Sequence, residues 1–179
     1  ADGSASRKGF SSADIIYLLT PDRFRNGDAS NDRVKGMLEG PNREFIGGRH
    51  GGDLAGVIKS LDYFEKMGIS SLWLNPVLEN NMETYSYHGY AMTNLYNVDP
   101  RYGTNEQYKE LADKAKEKGI GIIMDQVANH IGSLHPWMSD LPSEDWVNQW
   151  PEFTQTNHMK VSRFDPHAAE VDRKQFTDG

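Results

Sequence analysis

The sequence predicts an α/β fold built on a parallel sheet, and three observations carry that expectation. Short, nearly continuous apolar runs alternate with segments whose apolar residues recur every three or four positions. The connection from each periodic segment to the next apolar run is tight, as in a β-α-β unit with a right-handed crossover. The connections leaving the apolar runs are long, polar and rich in glycine. In parallel sheets such loops gather at the carboxyl ends of the strands, where functional sites are built.

Taken in order, Asp14 to Leu19 is the first apolar run, ended by Pro21-Asp22, and its continuity predicts a strand buried on both faces. Arg25 to Gly52 is a long loop of Asn, Asp, Gly and Arg with little periodicity. Asp53 then opens a segment in which Leu54, Val57, Ile58, Leu61 and Phe64 mark one helix face, closed by Met67-Gly68. Ser71 to Leu74 is the second strand, and a second long loop runs from Val77 to Gly103. Thr104 with Gln107 three residues on is a capping box, followed by a helix with Tyr108, Leu111, Ala112 and Ala115 inward, ending near Gly119. Ile120 to Met124 is the third strand. Beyond His130 the pattern fades into a polar stretch containing Trp137, Trp146, Trp150 and Phe153, with no clear fourth strand.

Composition narrows the function classes. The chain has 179 residues, 37% of them hydrophobic, enough for one domain with a core or for part of one. Its net charge of −7 and the lack of any Lys/Arg-rich run argue against a nucleic-acid partner. Without cysteine there is neither a disulfide framework nor a thiolate metal site. Ala1 to Ser12 is small and polar, a linker or cut end rather than a signal peptide or membrane helix.

Three constellations could carry chemistry. Asn26-Gly27-Asp28-Ala29-Ser30-Asn31-Asp32, with Gly51-Gly52-Asp53 one loop later, offers oxygen donors of the kind a hard cation such as calcium takes. By itself it reads more readily as an Asx-rich turn that satisfies its own backbone, and it lacks the spacing of an EF-hand. Tyr87-His88-Gly89-Tyr90 could present an aromatic face to a sugar ring, or simply pack as an aromatic turn. Asp125, Asn129 and His130 place three polar groups at the carboxyl end of the third strand, where a lone histidine would otherwise be a structural residue.

Together these stretches resemble the α-amylase superfamily of glycoside hydrolases, in order as well as in residues. Asp125…Asn129-His130 is similar to that family's first signature, after its third barrel strand. Tyr87-His88-Gly89-Tyr90 resembles its sugar-stacking turn. Asn26-Gly27-Asp28 through Asp32 with Gly51-Gly52-Asp53 resembles the calcium loop of its neopullulanase, cyclomaltodextrinase and cyclodextrin glucanotransferase members. Val98-Asp99-Pro100-Arg101-Tyr102-Gly103-Thr104 and Pro21-Asp22-Arg23-Phe24 fit the same group, so the resemblance spans Ile15 to His130.

The resemblance implies a partial (β/α)8 TIM barrel, namely its first three strands and two helices over residues 13–130, after a linker at 1–12. Residues 131–179 would begin the domain inserted after strand three. It implies that Tyr90 stacks on the sugar at the bond-breaking subsite, that His130 bonds its hydroxyls, and that His88 belongs to the same substrate-binding turn. Asp125 would be a supporting acid and Asn129 a structural residue matching a ligand of another, inter-domain calcium site. Asn26, Asp28, Asn31, Asp32, Asp53 and the Gly51 carbonyl would bind Ca2+. Many relatives carry tryptophan after the stacking tyrosine, where this chain has Ala91.

The activity implied is that of a retaining hydrolase acting on α-1,4-glucosidic bonds of starch-derived oligosaccharides, pullulan or cyclodextrins. Retaining glycosidases need two carboxylates about 5–5.5 Å apart. In this family they come from the fourth and fifth strands, beyond Gly179. Glu144 and Asp165 lie in polar stretches and read as solvated charges. The chain as given is therefore expected to be inactive, with the remainder of its own barrel as its partner. The alternatives are a transglycosylase of the same family, a non-catalytic calcium-dependent carbohydrate-binding protein, or an unrelated α/β barrel. Location stays open, with the calcium loop favouring the periplasm or exterior.

Overall fold

A computed structural model of the chain describes residues 10–147, 151–152 and 167; Trp150, Phe153 and Asp165 lie outside them. Strands β1 (Ile16–Leu19), β2 (Ser71–Leu74) and β3 (Gly121–Met124) form one parallel sheet in that order. The register sets Tyr17 beside Leu72 and Leu72 beside Ile122, and likewise Leu18, Trp73 and Ile123 in the next row. The helices are α1 (Pro21–Phe24), α2 (Leu54–Ile58), α3 (Leu61–Lys66) and α4 (Asn105–Glu117).

Strand residues alternate between faces, so Tyr17, Leu19, Leu72, Leu74 and Ile122 share one side. That side packs on Leu54, Val57, Leu61 and Phe64 of α2 and α3 and on Leu111 and Ala115 of α4. Tyr17, Phe24 and Phe64 add edge-on and stacked ring contacts at 5.2 to 6.5 Å. Leu54, Val57, Phe64, Leu72 and Leu111 have no exposed surface, and each such side chain contributes about 1.5–3 kcal/mol of burial free energy.

The expectation that the first strand is buried on both faces does not hold. Ile16 and Leu18 are 44% and 57% exposed, and Trp73 on the same side is 39% exposed. The helices cover one side only.

The single helix expected from Asp53 to Met67 is two. Between α2 and α3, Ser60 Oγ bonds back to the Gly56 carbonyl at 2.9 Å while Arg25 donates to the Lys59 carbonyl and to Ser60 Oγ. Such competition for carbonyls tightens and bends a helix. The apolar periodicity survives the break because both halves face the same sheet.

Helix ends follow their sequence signals. Thr104 Oγ1 accepts from Gln107 N and Gln107 Oε1 from Thr104 N, each at 3.2 Å, closing the capping box. α3 and α4 both terminate on a left-handed glycine, Gly68 and Gly119. Ile69 N–H reaches back to the Phe64 carbonyl and Ile120 N–H to that of Ala115, satisfying orphan carbonyls and launching the next strand at once. This explains the tight helix-to-strand connections. The compact unit holding these elements extends to Met138, and residues from Ser139 fall in a second unit. There Ser143 Oγ donates to Asp145 Oδ1 within a short turn.

Candidate functional site

The residues singled out at the carboxyl ends of β2 and β3 come together on the side of the sheet that no helix covers. One oxygen of Asp125, Oδ2, accepts from Tyr90 Oη at 2.9 Å and from Trp73 Nε1 at 3.1 Å. Burial, the bond to Asp125 and that carboxylate's charge together raise the Tyr90 phenol above its ordinary pKa. The phenol therefore stays protonated and donating. The Tyr90 backbone is fixed as well: its N–H donates to His88 Nδ1 at 2.9 Å, and its carbonyl lies 2.7 Å from His130 Nε2. The His88 and Tyr90 rings lie 5.9 Å apart at 32°.

These bonds settle the imidazole tautomers. A carbonyl only accepts, so His130 donates from Nε2, leaving Nδ1 to face the Asn129 amide at 3.4 Å. His130 thus bonds the Tyr90 backbone through Nε2. His88 accepts at Nδ1, so its proton sits on Nε2.

Desolvation holds the His88 pKa below 6.5, with Glu39 opposing and His130 assisting. A proton at Nδ1 would oppose the Tyr90 N–H donor. Above the unfolded value near 6.5 both states are neutral and the contribution is complete; as pH falls through the lower folded value, the unfolded state binds more protons and stability is lost. The urea midpoint is therefore expected to fall between about pH 7 and about pH 5, and less steeply in His88→Asn. A slope unchanged by that substitution would contradict the assignment.

Beneath this cluster a buried ionic brace holds the two long loops. Arg101 and Asp99, 1% and 0% exposed, pair through Nε–Oδ1 at 2.9 Å and Nη2–Oδ2 at 2.7 Å. The same guanidinium donates to the Glu39 and Asn80 carbonyls, each at 2.8 Å. Arg49, also buried, lies 3.7 Å from Asp22 and 4.6 Å over the Tyr102 ring. Tyr102 Oη donates to the Tyr87 carbonyl at 2.6 Å, and burial pushes its pKa up. The Tyr87–Tyr90 turn thus rests on the Arg49, Asp99 and Arg101 network. Sequence reasoning missed Trp73, Arg49 and Arg101 as site residues, although the motif containing Arg101 was noted.

The Asn/Asp loop also assembles. Asp53 caps α2 through Gly56 N and accepts from Gly27 N, Asp28 N and Asn31 Nδ2. Asn26 Nδ2 donates to Asp32 Oδ1 at 2.7 Å, and a Cβ placed at Gly51 would lie 2.5 Å from that same oxygen. Asp28 caps its own turn through Ser30, which lowers its pKa. Among the described residues no three acidic or histidine side chains are arranged to hold a metal ion. A cation here would need amide and backbone oxygens in addition to carboxylates. Asn31 Oδ1 is one such oxygen, buried and without a hydrogen-bond partner. In donor type and in this orphaned acceptor, the set fits a hard cation.

Comparison with known proteins places this geometry in context. The model of the alpha-amylase catalytic domain matches residues 17–175. A cyclomaltodextrinase of Thermoanaerobacter pseudethanolicus is 34% identical over 148 residues, 76% of this chain and 25% of that protein. A beta/alpha-amylase of Paenibacillus polymyxa is 41% identical over 121 residues, 68% of this chain and 10% of that protein. Among solved structures, an Anoxybacillus α-amylase superposes with a TM-score of 0.68 at 36% identity, covering 76% of this chain and 28% of that one. The chain therefore spans between a tenth and little more than a quarter of the length of these relatives.

Proposed function

This chain belongs to the α-amylase family of glycoside hydrolases, and from that premise we propose that it forms the first part of the barrel of a retaining α-glucan hydrolase. Its substrates are α-1,4-linked: starch-derived oligosaccharides, pullulan or cyclodextrins. The observation that supports this most is the shared Asp125 oxygen, which locks the Tyr90 ring at the strand ends while His88 and His130 hold its backbone. A ring clamped at its hydroxyl and at its backbone is pre-organised to receive the apolar face of a glucose unit.

In this reading Tyr90 stacks on the sugar at the bond-breaking subsite. His130 and His88 are the polar contacts beside it, and Asp125 and Asn129 support them. The nucleophile and the acid/base are supplied from beyond Gly179, by the remainder of the barrel, which also covers the exposed side carrying Ile16, Leu18 and Trp73. The test is product analysis with maltoheptaose, pullulan and β-cyclodextrin. The 179-residue chain is expected to give no hydrolysis, and the chain continued through a complete barrel to cleave with retention of the α-anomer. Turnover by the 179-residue chain, or β-configured products, would overturn the reading.

Calcium is proposed as the resident ion, held by Asn26, Asp28, Asn31, Asp32, Asp53 and the Gly51 carbonyl. It supplies positive charge that clamps the 26–32 loop to the start of α2, and takes no part in bond cleavage. Saturating calcium at about 100-fold over its dissociation constant is expected to stabilise the folded state by about 2.7 kcal/mol. Differential scanning calorimetry with and without a chelator reads this shift, and Asp32→Ala should abolish it. An unchanged thermal midpoint would show the loop to be an Asx turn only.

A further inference from the structure

Asn26-Gly27 is the one Asn-Gly pair in the sequence, and packing dictates its glycine. A Cβ at Gly27 would lie 2.2 Å from Gly56 N and 2.4 Å from the Ala55 carbonyl carbon. A glycine nitrogen is also the least shielded nucleophile that can follow an asparagine, because no side chain crowds its approach to the asparagine Cγ. The close contact that seats the 26–32 loop on α2 therefore builds a reactive pair into it. Asn26 and Gly27 are half-buried, within reach of water.

The closed loop holds the pair out of reaction. Gly27 N–H donates to Asp53 Oδ1 at 2.9 Å and Asp28 N–H to Oδ2 at 2.8 Å, while Lys59 Nζ donates to the Gly27 carbonyl. Asp53 has no exposed surface, and it also caps α2 through Gly56 N at 2.6 Å. To attack the Asn26 side chain, the Gly27 nitrogen must leave Asp53. While it stays, it would have to give up its proton beside a carboxylate, whose charge opposes a second negative one. The Asn26 amide is itself held, donating to Asp32 Oδ1 at 2.7 Å.

We propose that Asn26-Gly27 is a deamidation site kept latent by Asp53, and that its conversion fixes the 26–32 loop open. When the loop opens, hydroxide takes the Gly27 amide proton and the nitrogen attacks Asn26 Cγ. A Cγ–N bond forms, the Cγ–Nδ2 bond breaks, and the side-chain nitrogen leaves as ammonia, closing a succinimide ring. A water molecule then opens either of the ring's carbonyl–nitrogen bonds, giving an aspartate or a β-linked isoaspartate at position 26. Either product prevents re-closure. The aspartate replaces the donor facing Asp32 with a second carboxylate. The isoaspartate lengthens the main chain by a methylene, so the Gly27 and Asp28 amides no longer match the two Asp53 oxygens. A reversible local opening thus becomes a permanent lesion that limits the lifetime of the enzyme.

The experiment incubates the enzyme carrying the complete barrel at mildly alkaline pH below its thermal midpoint, without chelator, and follows position 26 by peptide mapping with mass spectrometry. Folded wild type is compared with wild type in urea, with Asp53→Ser, whose hydroxyl still caps α2 but cannot hold both loop amides, and with Asn26→Asp. Folded wild type is expected to deamidate at least about tenfold more slowly than in urea, and Asp53→Ser about tenfold faster than folded wild type, the factor set by losing hydrogen bonds to a charged group. Asn26→Asp should melt below wild type, and aged wild type should gain that lower-melting fraction in proportion to its conversion. Equal rates in folded and urea-unfolded protein, or no conversion in either, would overturn the proposal. So would an Asp53→Ser rate equal to that of wild type, or an Asn26→Asp midpoint equal to it, since the loop would then re-close on the product. Should Asp53→Ser lack a cooperative transition, Asp53→Asn, which keeps the cap and removes the charge, takes its place and must also accelerate the reaction.

Discussion

Replacing Arg101 by methionine is expected to destabilise the protein by about 3–5 kcal/mol, the cost of leaving a buried charge without its partner. Asp99 is fully buried and bound through both oxygens to that one guanidinium. Burial alone would push the Asp99 carboxyl up, yet Arg101 and Arg49 together hold it below its ordinary value. Without Arg101, Asp99 must take up a proton or stay charged in a dry site, and the Glu39 and Asn80 carbonyls lose their donor. Against a typical domain stability of about 5–15 kcal/mol this is a large fraction. Urea unfolding measures it, and a loss below about 1 kcal/mol would mean that the loops are held by other contacts. The lesion should also reach the Tyr87–Tyr90 turn, because Arg101 fixes the Glu39 backbone while the Glu39 side chain fixes Ser86.

The second large effect is expected at Tyr90. In the enzyme carrying the complete barrel, Tyr90→Ala removes the ring and the hydroxyl and should lower kcat/KM on maltoheptaose about 100-fold, corresponding to about 2.7 kcal/mol. Tyr90→Phe keeps the face and loses only the bond to Asp125, a hydrogen bond to a charged group worth about 1.5–3 kcal/mol at most, so about tenfold is expected. The order of the two variants matters more than either value. If Phe were as damaging as Ala, the hydroxyl rather than the ring face would be the contact. Trp73→Phe should lose part of the same effect and be less than additive with Tyr90→Phe, since both donors act on a single oxygen.

What the sequence made legible was local. The capping box at Thr104, the glycines that end α3 and α4 and the apolar strand runs all rest on short-range chemistry, and each is found where it was expected. Tyr90, His88, Asp125 and His130 could be singled out because family motifs mark them, and the structure brings them together.

Other features depended on partners far apart in the chain. Trp73 reads as a core strand residue until the register places it on the open face beside Ile123, two residues before Asp125. Arg49 sits in a loop of polar composition, where an arginine is ordinarily solvated, and its burial depends on Asp22, Ser86 and Tyr102. The break at Ser60 is invisible to periodicity because it arises from a hydroxyl and from Arg25, 35 residues away. The sequence also could not show that His130 spends its Nε2–H on the Tyr90 carbonyl, since that bond is set by how the two loops meet.

The central claim is that Tyr90, held by Asp125 and flanked by His88 and His130, is the floor on which a glucose unit rests. It is tested most directly by titrating the enzyme carrying the complete barrel with a non-hydrolysable, thio-linked maltoheptaose while following the Tyr90 ring and the two imidazoles by NMR. The account expects an upfield shift of the Tyr90 ring protons and a change at His130 Nε2–H as a sugar hydroxyl competes with the Tyr90 carbonyl. Saturable binding that left the Tyr90 and His130 signals unmoved would contradict it.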